Sequence, residues 1–99
     1  MNEEISQTAR VVEFSAIVTD IREESRTAGR QRWQMALDRT EFSAQAGMGT
    51  MEAVTPRGSR LVVPVLGVVV DATGEVWHVV EKPLAAGTQV TARVGRQAV

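Results

Sequence analysis

Ninety-nine residues, 43% of them hydrophobic and 23% charged, describe one ordinary folded domain, too short for two separate cores and too apolar for a disordered chain. Eleven basic against twelve acidic residues leave a formal charge of -1, which argues against the broad electrostatic affinity of a general nucleic-acid coat. With no cysteine, disulfides, thiolate metal sites and cysteine nucleophiles are excluded as well.

Residues 1–9 are polar and aperiodic, which predicts a flexible lead-in ahead of a single domain over 10–99. They lack the basic and apolar regions of a secretory signal. The longest apolar run, Leu61 to Val70, is about half of what a membrane-spanning helix needs. A cytoplasmic protein is the expectation. From Val11 the pattern turns to β, with Val12, Phe14, Ala16 and Val18 on one face. Ile21 falls out of phase with that set, and a bulge near Thr19 or Asp20 would restore it. Glu23 to Arg30 carries charge, small polar residues and Gly29, the chemistry of a turn. Trp33, Met35 and Leu37 then alternate with Arg32, Gln34, Ala36 and Asp38, so the two runs form a hairpin.

Between Thr40 and Ser59 the signal weakens. Phe42, Ala46, Met48 and Met51 would suit a short helix, but Gly47 and Gly49 each cost a helix interior about 1 kcal/mol relative to alanine. A loop or a short strand around Phe42 to Ala46 fits equally. Thr55 to Ser59 reads as a turn through Pro56 and Gly58. Leu61 to Val70 is apolar on both faces and predicts a strand buried from both sides, kinked or at an edge at Pro64. Asp71 to Glu75 is a hairpin loop, Val76 to Lys82 a strand, and Pro83 to Gly87 a turn. The last strand, Thr88 to Val94, directs Val90, Ala92 and Val94 inward. Five strands at short spacing predict a small all-β barrel with room for one short helix. OB-like and SH3-like barrels are the two candidates.

The run Ile17-Val-Thr-Asp-Ile-Arg, then Thr27-Ala-Gly-Arg30, then Trp33 to Thr40, resembles the first two strands of OB-fold nucleic-acid-binding domains. The resemblance covers about 24 of 99 residues. It implies an OB-like barrel and a partner among single-stranded nucleic acids or the proteins that act on them. Recognition of that kind needs cations along a backbone and flat rings on which bases stack. Arg22, Arg26, Arg30 and Arg32 lie in or beside the first hairpin loop and are the phosphate candidates, with Glu23 and Glu24 among them. Of the four aromatic residues, Phe14 and Trp33 share phase with core positions. Trp77 is the stacking candidate.

Chemistry beyond binding is not expected. His78 is the only histidine and has no second metal ligand of its kind, and the adjacent Glu23 and Glu24 point to opposite faces of a strand. Gly47-Met-Gly-Thr50 lacks the lysine of a phosphate loop. The reading is therefore a non-enzymatic binding module without cofactor, serving nucleic-acid metabolism through its first hairpin. The alternative is a protein-protein adaptor or inhibitor, such as phages and plasmids encode. It would act through an exposed strand edge, with homodimerisation one use of that edge, or through Met48 and Met51 of the Gly47 to Met51 segment.

Overall fold

The computed structural model describes the backbone of residues 9–27, 30–44 and 46–97, and the side chains of 12–24, 30–44 and 46–95. The expected lead-in falls almost wholly outside the described residues, as do Gly29 and the side chain of Arg26. Seven strands follow one another: β1 (Ala9–Thr27), β2 (Arg30–Leu37), β3 (Gly49–Val54), β4 (Arg60–Val65), β5 (Gly67–Val70), β6 (Val76–Val80) and β7 (Gln89–Gln97). They form one antiparallel sheet in the order β4-β3-β7-β1-β2-β6-β5. No helix occurs among the described residues.

Two features curl this sheet into a barrel-like form. The 19-residue β1 is shared: its first half pairs with β7 from Ala9 to Ile17, its second with β2 from Val18 to Thr27. Register slips between Val18 and Asp20, where the out-of-phase Ile21 called for a bulge, and Ile21 rejoins the core side. A second slip follows between Glu23 and Ser25. Such bulges sharpen the bend of a long strand. At the far ends of the order, β4 and β5 are successive in the chain and separated only by Leu66, whose N–H bonds the Val79 carbonyl at 2.8 Å. One continuous segment thus supplies both outermost strands, which a flat sheet would not permit.

The enclosed core takes Phe14, Ala16 and Val18 from β1, Met35 and Leu37 from β2, and Val90, Ala92 and Val94 from β7, in the phases read from the sequence. Phe42 and Leu84 enter it from connecting segments. Each large side chain removed from water contributes about 1.5–3 kcal/mol, the dominant favourable contribution here. Glycines with φ near +90° close three turns, at Gly58, Gly74 and Gly87.

Two expectations need correction. The count is seven strands rather than five, because Leu61 to Val70 divides at Leu66 and because Gly49–Val54 pairs with both β4 and β7. The apolar run is not buried from both sides: Val63 and Val65 face the core, whereas Leu61, Val62 and Leu66 are 47%, 57% and 36% exposed. Val62 and Leu66 lie on the outer face of a single sheet, over which no second layer packs among the described residues. Of the alternatives for the weak segment, the loop is the one found: Ser43 and Ala46 close a tight turn through reciprocal backbone bonds of 3.1 Å, and the described residues there form neither helix nor strand before Gly49.

Candidate interaction surface

The first hairpin brings three of its arginines onto one face. Arg30 and Arg32 alternate with Gln34 along β2, all on the outside of the sheet, and Arg22 sits opposite Gln34 in the β1–β2 register. Arg30 and Arg32 are exposed. Arg22 is exposed too, but ordered: its Nε–H donates to Gln34 Oε1 at 2.7 Å, and its guanidinium carbon lies 3.9 Å from the centre of the Trp77 ring. Gln34 in turn donates from Nε2 to Glu24 Oε2 at 2.8 Å. Glu23 accepts from Gln31 Nε2 at 3.0 Å. The local field of the hairpin is consequently mixed.

Trp77 lies on the same outer face as Gln34, with Ala36 as its β2 partner and Val69 as its β5 partner. Arg22 covers it, leaving the residue 7% exposed, so the indole face is not offered to a base. Its Nε1–H donates to Asp71 Oδ2 at 3.0 Å. Asp71 also accepts from the Thr73 hydroxyl at 2.6 Å and from the backbone N–H of Thr73 and Glu75. The Thr73 hydroxyl foremost, then the indole N–H, hold this carboxyl well below the usual carboxylate range. Gln34 and Asp71 are the site residues that strand phase alone did not mark. The sequence signal for Asp71 is the Asp-x-Thr-Gly turn that follows a strand.

The second candidate surface is apolar. Within Leu61 to Val70, Leu61, Val62, Leu66, Val69 and Val70 are all exposed, and Val54 of β3 is 64% exposed beside them. On its inner margin an ion-pair chain crosses the sheet: Glu13 to Arg93 at 2.9 Å, Arg93 to Glu52 at 3.9 Å, and Glu52 to Arg60 at 3.4 Å. Charge on that face is matched internally. The two methionines separate: Met48 is 65% exposed, while Met51 is fully buried and fills the core instead of meeting a partner.

His78 is sealed inside at 0% exposure. Nδ1 lies 2.8 Å from the Met35 carbonyl, which can only accept, so Nδ1 carries the proton. Nε2 then accepts the Thr40 hydroxyl at 2.8 Å, and Thr40 Oγ1 accepts the Phe42 N–H at 3.0 Å. Burial lowers the affinity of the ring for a second proton, against the pull of the Met35 carbonyl. The unfolded chain takes that proton near pH 6.5 and the folded chain only below it, so stability falls as pH falls through this window. We expect a loss of up to about 1.4 kcal/mol per pH unit below 6.5. Urea midpoints that stay level from pH 7.5 to 5.5 would contradict this.

A polar cleft of about 330 Å³ lies between Asp38, Arg39 and Thr40 on one side and Thr73 to Val76 on the other. Two of its charged groups are engaged structurally: Asp38 Oδ1 accepts the Ile17 N–H at 2.9 Å, and Arg39 donates to the Ser15 carbonyl and pairs with Glu41. No group of three or more metal-ligating side chains occurs among the described residues. No helix among them is long and apolar enough to cross a membrane. No protein-family model, no curated protein and no solved structure matches the chain.

Proposed function

We propose that this chain is a non-enzymatic module that binds another protein through the outermost strands β4 and β5, in a cytoplasmic setting. One observation carries the reading: five large aliphatic residues are exposed within ten positions, four on two strands that each have a single neighbour in the sheet and one, Leu66, between them. Edge strands are normally blunted by charge, and an exposed apolar one is a template for a strand from a partner. Pro64 withholds one donor and so restricts the register in which a partner can pair.

The test compares proteins captured from cells by the wild-type chain, by Val62→Asp/Val69→Asp, and by Arg30→Glu/Arg32→Glu. Val62 and Val69 are exposed, so each change alters the folded state by about 0.5 kcal/mol or less. The expected result is a partner lost from the aspartate variant alone. Light scattering distinguishes a second copy of the chain as that partner. Equal capture by all three proteins would sink the reading.

A second reading keeps the OB-like or SH3-like barrel and gives the first hairpin a single-stranded nucleic acid. The placement of Arg22, Arg30 and Arg32 on one face supports it. The sequence pI near 5.8 and the carboxylates of Glu23 and Glu24 weigh against it. Under that reading, oligothymidylate binds the wild type at low salt, weakens as salt rises, and fails to bind Arg30→Glu/Arg32→Glu.

A further inference from the structure

We infer that the outward face of the Arg22 guanidinium is an anchor point for an aromatic side chain of the partner protein. The inference rests on the protein-binding reading above and names the chemistry of one contact within it.

Most surface arginines sweep through many rotamers, whereas Arg22 is held as a plane by successive supports. Trp77 lies beneath it at 3.9 Å, and Gln34 fixes its Nε–H at 2.7 Å. Gln34 is itself only 6% exposed, and its remaining amide hydrogen bond goes to Glu24. Trp77 is fixed by Asp71, which the Thr73 and Glu75 turn holds in place. None of the ion pairs among the described residues includes Arg22. The guanidinium lies over the indole, and the residue is exposed. The conformational cost of presenting a flat cation has already been met by folding.

The surroundings select what stacks there. Asp20, Glu24 and Asp71 lie on the strand segments and turn around Arg22, with Arg30 and Arg32 farther along the same face, so an incoming phosphate or carboxylate meets a mixed field of three acids and three arginines rather than a cationic one. A cation would face the guanidinium itself. A neutral ring meets neither penalty and gains the attraction between a π face and a guanidinium plane, about 0.5–1 kcal/mol at an exposed site and about 2 when desolvated. The same acids disfavour a nucleobase, which arrives with its phosphates. Val69, across from Trp77 and 38% exposed, joins the stack to the apolar Leu61 to Val70 surface. Arginine is among the residues that dominate interface hot spots.

N-Acetyltryptophanamide, a neutral ring, is the probe, titrated into isotope-labelled full-length chain while the Arg22 Nε–H and Trp77 Nε1–H resonances are followed. We expect saturable shifts at both, a response about fivefold or more weaker in Arg22→Lys, which keeps the charge and loses the plane, and none with N-acetylleucinamide. Arg22→Gln, flat but uncharged, weakens it likewise. Non-saturating shifts, an undiminished response in Arg22→Lys, or stronger binding of oligothymidylate than of the amide would overturn the inference. If Val62→Asp/Val69→Asp loses its partner while the probe ignores Arg22, protein binding stands and the anchor falls. If the probe saturates Arg22 and the wild type captures nothing that the aspartate variant loses, the anchor stands and the proposed function falls.

Discussion

Phe42→Ala is expected to cost about 3–5 kcal/mol, a large share of the roughly 5–15 kcal/mol that holds a domain of this size together. Phe42 is 3% exposed although it belongs to a segment with neither helix nor strand. Its ring meets Phe14 edge-on at 5.9 Å and His78 edge-on at 5.1 Å, and its N–H is held by Thr40. Truncation leaves a cavity against two rings and frees the crossing from β2 to β3. Met48→Ala, in the same segment but exposed, is expected to change stability by about 0.5 kcal/mol or less. Urea unfolding of both variants decides the matter. A loss at Phe42 no larger than at Met48 would mean that the segment does not anchor the core.

Gly49→Ala is the second severe change. Gly49 stands opposite Val94 in the β3–β7 register and opposite Val65 in the β3–β4 register. A methyl group there would overlap the Arg93 carbonyl oxygen and lie 3.1 Å from Phe42 Cε1. Backbone cannot yield as a side-chain tip can, so the first pairs of β3 must separate from β7. We expect a loss of about 1–3 kcal/mol, and more if β4, whose one pairing neighbour in the sheet is β3, goes with it. Gly67→Ala supplies the comparison, since a Cβ there meets no atom within 4 Å. Hydrogen exchange should show β3 and β4 losing protection in Gly49→Ala while β2 and β6 keep theirs. Uniform protection across the sheet would refute the argument.

These two residues also mark where the sequence stops being readable. Alternation gave the phase of β1, β2 and β7, and the misfit of Ile21 located the bulge, because one buried face leaves a period-two trace. It could not give β3. Its leading glycine looks like a breaker in the chain, yet the position demands glycine because another backbone passes beside it. Phase failed differently for Leu61 to Val70. Apolar residues on both faces can mean burial on both sides or an uncovered edge, and only the pairing order separates these. The candidate site was half legible: the arginines of the hairpin could be named, but that Arg22 lies on Trp77 depends on β6 joining β2, a contact between residues far apart in the chain.

The shared strand β1 bears on how the chain is made. Its Ala9 pairs with Gln97, so half of the backbone of β1 waits during synthesis for β7 before it finds a partner. Its other half can zip at once with β2 through a short hairpin. Synthesis therefore divides one strand into an early and a late portion, and closure is gated by the most distant strand pairing among the described residues. Non-local closure of this kind belongs to the slow end of small-domain folding, milliseconds to seconds. Until it occurs, the unpaired half of β1 is open to the wrong strand.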